Sequence, residues 1–309
     1  MAENTVKIGK NEVPVEELLS PGHNFCAGCG EVLAIRLAMK AIGKDCILNM
    51  ATGCNEVTTT PYPFTSWKVP WFHTLFENVG ASLSGIEAGM KKLMEKGKIP
   101  QKKITYVGMG GDGSTVDIGL QALSGAMERG HDMVYLCWDN EAYMNTGIQR
   151  SGSTPWGAST TTAPAGKVSK GNPRQKKNMV EIALAHGIPY AATASIGYPF
   201  DLMEKVKKAA EKEGPAYVHI LAPCPTGWRH AGDATIEMAR LAVTTAYFPL
   251  YEVEDGKYTI SVNPSKVKPV VDFIKAQGRF RHLKEDDLEA IQNTVTQNWE
   301  RLQKLAAQE

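Results

Sequence analysis

With 309 residues the chain can bury a large core, and its 33 acidic and 34 basic side chains nearly cancel. That balance excludes a strong field toward nucleic acid or an anionic membrane. No run of 18 apolar residues exists to span a bilayer, and the opening MAENTVKIGKNEVP lacks the apolar centre of a signal peptide, so a cytoplasmic location is expected.

In chain order, the first chemical feature is HNFCAGCGE, His23 to Glu31, with Cys26 and Cys29 in a glycine-rich turn. In a reducing compartment this CxxC reads as metal-binding or redox-active: a zinc knuckle, a redox pair or half of an iron–sulfur site. The apolar run CILNM leads into the turn MATGCNEV, which carries Cys54. KITYVGMGG, Lys103 to Gly111, reads as a buried strand ending in glycines. DIGLQALSGAMERG then predicts a helix with Ile118, Leu120, Leu123 and Met127 near one face, and DMVYLCWDN, Asp132 to Asn140, the next strand. Such a βαβ unit implies parallel pairing and a right-handed crossover.

From Ser151 to Lys177 runs a long Gly/Ser/Thr/Pro/Ala-rich loop, of a length expected to be functional or disordered. Its RQKK, Arg174 to Lys177, reads as a solvated face or a partner contact. Helix MVEIALAHG, strand PYAATAS, helix DLMEKVKKAAEKEG and strand AYVHILAPC (Ala216 to Cys224) complete the alternation. The class is therefore α/β, a mostly parallel sheet with helices on both faces. Residues 1–235 form the core domain. Residues 236–309 form an extension of a helix, a hairpin turning at Asp255-Gly256 and a terminal helix with Leu288, Ile291, Val295, Leu302 and Leu305 on one stripe, packed on the core or on a partner chain.

Two constellations carry chemistry. Gly111-Asp112-Gly113 falls where a strand ends and a helix begins, the usual ligand edge of a parallel sheet, and glycines there admit a phosphate. The following strand ends in Asp139-Asn140-Glu141-Ala142; a carboxylate and an amide oxygen from neighbouring strand ends suit a hard divalent cation. The second constellation is of thiols: Cys26 and Cys29, Cys54, and Cys224 in APCPTGW could meet at one sheet edge, and four thiolates suit Zn²⁺ or a [4Fe–4S] cluster. Cys46 and Cys137 lie in apolar runs and read as small buried hydrophobes; His23 reads as structural.

GDG followed by Asn140 after a βαβ unit resembles the thiamine diphosphate motif. The resemblance implies Mg²⁺ held by Asp112, Asn140 and the carbonyl of Ala142, with Asp139 where many members have a first asparagine. CAGCGE, ATGC, WKVPW, FENVGA, GGDGSTVDIGLQALSGAMERGHD, DNEAYMNTGIQRSG and APCPTGW together extend over nearly the whole chain. They resemble the thiamine-binding β subunits of the 2-oxoacid:ferredoxin oxidoreductases, the pyruvate type foremost.

That resemblance implies a [4Fe–4S] cluster on Cys26, Cys29, Cys54 and Cys224 beside the thiamine. It places Glu31, Thr52, Gly53, Cys54, Gly111, Asp112, Gly113, Asn140, Ala142, Asn145 and Thr146 around the cofactor, with Glu31 and Asn145 as catalytic residues. It implies oxidative decarboxylation of a 2-oxoacid, pyruvate with coenzyme A foremost, with electrons passed to ferredoxin. Oxalate, which would give only CO₂, or another 2-oxoacid would use the same machinery. The implied partners are α-, γ- and δ-type chains, separate or fused, one of which supplies the glutamate that activates the aminopyrimidine ring; the loop from Ser151 is expected near that boundary. Asn55 stands where pyruvate-type relatives often have an apolar residue. Two rivals keep the cysteines structural: a thiamine-dependent enzyme without electron transfer, and a zinc-bound non-catalytic scaffold.

Overall fold

A computed structural model of the chain describes residues 5–61 and 63–308. Its strands are β1 (Thr5–Ile8), β2 (Asn11–Pro14), β3 (Cys46–Ala51), β4 (Trp71–Thr74), β5 (Thr105–Gly111), β6 (Met133–Asp139), β7 (Tyr190–Ser195), β8 (Pro215–Leu221), β9 (Leu250–Glu254) and β10 (Lys257–Val262). A small hairpin pairs β1 with β2, and the other eight form one sheet in the order β10-β9-β7-β8-β6-β5-β3-β4. The six strands from β7 to β4 are mutually parallel. The β9–β10 hairpin adds antiparallel to β7. Both of its turn residues, Asp255 (φ 49°) and Gly256 (φ 85°), take the left-handed conformation that a two-residue Asp-Gly turn needs.

Side chains alternate along each central strand, and both faces are dry. On β6, Val134, Leu136 and Trp138 enter one apolar core while Met133, Tyr135 and Cys137 enter the other. Such two-sided burial is the mark of a parallel sheet covered by helices. The first core packs under α1 (Gly30–Ile42) and α6 (Pro199–Glu211), through Ile35, Met39, Leu202 and Val206. The second packs under α3 (Val79–Glu95), α4 (Leu120–Glu128), α5 (Met179–Leu184) and the C-terminal α10 (Glu285–Ala306).

On α10, Leu288, Ile291, Val295 and Leu302 are buried as the stripe predicts, and Trp299 joins them. Each such side chain contributes about 1.5–3 kcal/mol of burial. Cys46 and Cys137 are buried in the apolar cores. Among the described residues no helix is long and apolar enough to cross a membrane.

Two expectations change. The helix after GDG does not run through Ile118: residues Gly113–Ile118 form a π-helical turn, with Gly119 N–H donating to Ser114 O at 2.8 Å, before α4 begins. The wider turn rotates the register, and Ile118 is 54 % exposed. RQKK is not uniformly solvated either, because Lys176 turns inward onto two buried carboxylates.

Candidate functional site

The parallel strands β3, β5, β6 and β8 all end at one edge of the sheet. The segments that follow them carry Thr52-Gly53-Cys54, Asp112-Gly113, Asn140-Glu141-Ala142 and Cys224. All eleven residues expected around the cofactor line a single cleft there, joined by Phe76, Ser114, Tyr143 and Met144. Asp112 and Asn140 lie at its buried floor; Asn145 and Thr146 are exposed at its mouth. A side chain at Gly113 is excluded, since its Cβ would stand 2.3 Å from the Tyr143 ring. The Tyr143 hydroxyl in turn donates to Gly113 O at 2.9 Å.

The floor is a cluster of oxygens. Asn140 Oδ1 stands 2.7 Å from the carbonyl oxygen of Ala142 and 3.1 Å from Asp112 Oδ1. Three acceptors in contact repel one another, and with nothing between them the amide would gain two hydrogen bonds by rotating its NH₂ inward. As it stands, Nδ2 donates to Glu31 Oε2 at 3.3 Å instead. A cation among the oxygens removes the repulsion: octahedral Mg²⁺ with bonds of about 2.0–2.1 Å sets neighbouring ligands about 2.9 Å apart. The residues therefore fit the metal that the thiamine motif implies.

Electrostatics point the same way. Burial, then the negative charge of Asp139, push Asp112 well above the usual carboxylate range, against a hydrogen bond from the Ser151 hydroxyl. A cation would reverse that shift. For Asp139 burial also opposes ionisation, but Lys176 and then His219 outweigh it and hold the carboxyl below the usual range. Lys176 Nζ donates to Asp139 Oδ2 at 2.8 Å and Glu141 Oε1 at 2.6 Å. His219 Nε2 lies 2.8 Å from Asp139 Oδ2, and Tyr217 OH 2.7 Å from His219 Nδ1.

Glu141, at φ 69°, also pairs with buried Arg279, while Trp228 Nε1 donates to Asn140 O at 2.8 Å. The turn that presents Asn140 and Ala142 is thus clamped on every side. Ser151, the first residue of the long loop, belongs to the site, and the loop's Lys170 pairs with Asp287 of α10 at 2.5 Å.

The thiols sit beside the cleft. Gly30 N–H donates to Pro223 O at 3.1 Å and Thr235 Oγ1 to Gly28 O at 2.6 Å, lacing the CxxC loop to the segment around Cys224. Gly28 (φ 75°) allows this approach; a Cβ there would stand 2.2 Å from Gly232 O. All four cysteines are free, Cys26 exposed and the others half-buried. Burial, then Glu31 and the thiols of Cys29, Cys224 and Cys26, raise Cys54. Burial and Glu31 push Cys29 up to about 12, and burial raises Cys224. Among the described residues no three His, Cys, Asp or Glu side chains are arranged to hold one metal ion.

Glu31 joins the two regions. It is buried, its carboxyl pushed up to about 8 by burial against hydrogen bonds from Asn140 and the Asn55 N–H, and its Oε1 has no partner. Among the described residues, the buried side-chain atoms without a partner include His23 Nδ1, Glu31 Oε1, both amide atoms of Asn55 and His230 Nε2. Of these, Glu31 acts on Cys29, Cys54 and Cys224 and Asn55 follows Cys54 on its helix, while Trp138 Nε1 and Ser153 Oγ lack partners elsewhere. The residues thus fit an iron–sulfur cluster in the chemistry of their donors.

Lys176, Glu141, Arg279, His219, Trp228, Tyr143 and Ser151 were not singled out in the sequence. Each acts through a partner distant along the chain, so no local pattern marks it.

Residues 51–220 match the family model described as the thiamine pyrophosphate enzyme, C-terminal TPP binding domain. The chain is 57 % identical over 285 residues to the pyruvate synthase subunit PorB of Methanocaldococcus jannaschii, covering 92 % of this chain and 96 % of that protein. It is 52 % identical over 296 residues to the ketoisovalerate oxidoreductase subunit VorB of Pyrococcus horikoshii, covering 95 % of each. The fold resembles that of a 2-oxoglutarate:ferredoxin oxidoreductase from Magnetococcus marinus, with a TM-score of 0.57, 24 % identity, and 72 % of this chain and 79 % of that one covered. The chain belongs to the β subunits of the 2-oxoacid:ferredoxin oxidoreductases, EC 1.2.7 enzymes of several subunits, and carries their thiamine diphosphate-binding domain.

Proposed function

We propose that this subunit oxidatively decarboxylates pyruvate, with coenzyme A as acyl acceptor, and passes the electrons through a [4Fe–4S] cluster on Cys26, Cys29, Cys54 and Cys224 toward ferredoxin. The reading rests on one observation: Cys54 is both a wall of the cofactor cleft and one of the four thiols. An electron acceptor held by Cys54 would touch the place where the substrate's electrons are released. Four thiolates suit either Zn²⁺ or a [4Fe–4S] cluster, and of the two only the cluster can accept electrons.

Bound thiamine diphosphate supplies the nucleophile and electron sink for decarboxylation. The chain's own part is to bind and orient. Asp112, Asn140 and the Ala142 carbonyl hold Mg²⁺ and through it the diphosphate. Ser151 fixes the Asp112 carboxyl, and Lys176 with Arg279 neutralises the carboxylates behind the metal turn. Glu31, neutral at pH 7 while its pKa stays near 8, can donate a proton in the cleft. Asn145 at the mouth meets the substrate.

The wall that ends in Phe76 continues into exposed Phe72 and Leu75, with Phe64 77 % exposed nearby in sequence. Such a surface suits an α-type partner that closes the cleft, with γ- and δ-type chains carrying electrons outward from a cytoplasmic complex. Because PorB and VorB relatives are similarly close, the decisive experiment is a substrate panel. The anaerobic complex is given pyruvate, 2-oxoisovalerate, 2-oxobutyrate or oxalate, with and without coenzyme A, and viologen reduction is followed. Pyruvate with coenzyme A should give the highest kcat/KM; strong reduction by oxalate without coenzyme A would refute the assignment.

A further inference from the structure

Asn55 follows Cys54 on the short helix α2 (Cys54–Val57) and is fully buried. Neither atom of its side-chain amide has a partner. An unpaired buried amide costs about 1–3 kcal/mol, and an apolar side chain of similar shape avoids that cost. The amide is packed against the strand-end turn: a Cβ on Gly53 would stand 3.2 Å from Asn55 Oδ1. Gly53 and Cys54 both face the cofactor cleft, but Asn55 is not among its walls. Its neighbour along the chain is Cys54, and Glu31, which also has an unpartnered buried atom, acts on the Cys29, Cys54 and Cys224 thiols.

We propose that the Asn55 amide donates a hydrogen bond to a sulfur of the cluster at Cys54 and raises that cluster's midpoint potential. The inference rests on the cluster reading above. Reduction adds negative charge to the cluster, and an N–H dipole aimed at a sulfur stabilises the reduced form more than the oxidised one. In a buried, low-dielectric setting the effect is undiluted by water. Asn55 would thus make the acceptor next to the cofactor easier to reduce, without touching cofactor or substrate.

The test uses the assembled complex under anaerobic conditions. A redox titration monitored by electron paramagnetic resonance follows the signal that is lost in Cys224→Ser. Asn55→Leu removes the donor at similar volume, and Asn55→Asp keeps the shape while replacing the amide with an acceptor. Both should lower the midpoint of that signal, Asp the more, while thiamine diphosphate affinity and the iron and acid-labile sulfide content stay at wild-type values. Wild-type midpoints in both variants would overturn the proposal and assign the amide to a buried water. A loss of thiamine diphosphate affinity at unchanged midpoint would overturn it in favour of the cofactor. Iron and sulfide analysis of the unsubstituted complex separates these failures from failure of the cluster reading, which would appear as zinc or no metal.

Discussion

Behind the metal turn the buried charges are paired: Asp139 with Lys176 and His219, Glu141 with Lys176 and Arg279, and the Asn140 carbonyl accepts from Trp228. Near the cysteines, Glu31 Oε1 and both amide atoms of Asn55 are buried without partners, and burial raises the Cys29, Cys54 and Cys224 thiols. One region is preorganised by the chain itself, so that a small cation finds its ligands waiting. The other is left open, and the proposed cluster would complete its bonding. On the proposed function the difference would follow from the guests: Mg²⁺ demands near-ideal oxygen geometry, whereas a cluster would bring its own acceptors.

Breaking the clamp should have the largest effect. Lys176→Met leaves Asp139 and Glu141 short of their shared cation, and with the side chain about a quarter exposed the expected loss is about 3 kcal/mol in urea unfolding. Next comes Asp112→Ala. It should weaken Mg²⁺-dependent thiamine diphosphate binding, measured by calorimetry, by more than about 100-fold, since even outer partners of metal ligands are worth about 10–100-fold. Ser151→Ala, which removes such an outer partner, should fall near the lower end of that range.

The link between the regions can be probed with pH. The Glu31 carboxyl is raised in the fold to about 8, above its ordinary value of 4.5. Its contribution to the stability of the cofactor-free fold is therefore full below pH 4.5 and is lost as pH rises through 8. The slope can reach about 1.4 kcal/mol per pH unit, and Glu31→Gln should flatten it. The smallest effect belongs to the open region: exposed Cys26→Ser should change metal-free stability by less than about 0.5 kcal/mol. A large loss there would show that the thiol loop is as preorganised as the metal turn.

The sequence displays what is periodic or adjacent. The alternation of β5, α4 and β6 and the Asp-Gly hairpin turn are legible because one local rule governs each. The ligand edge is legible because GDG and Asn140 end consecutive strands of the sheet. Lys176 is not, because a lysine in RQKK looks the same whether it meets water or two carboxylates 35 and 37 residues away. Arg279 meets Glu141 across 138 residues, which only the closed sheet brings together. Ile118 misled because a π turn keeps helical composition while changing which way the side chains point.

The lacing of the CxxC loop has a consequence for the life of the chain. Gly28 is tied to Thr235 across 207 residues, and Cys29 comes to lie beside Cys224 only after β8 has entered the sheet. Contacts of such long sequence separation form late, because the entropy of closing the chain must be overcome first. A nascent chain emerging from the ribosome therefore has three of its four thiols long before the last, Cys224. Three cysteines, Cys26, Cys29 and Cys54, wait through most of synthesis, open to oxidation or to a stray metal, until the sheet brings Cys224 to them. The order of assembly is written into the topology: the sheet closes first and the thiol site is completed afterwards.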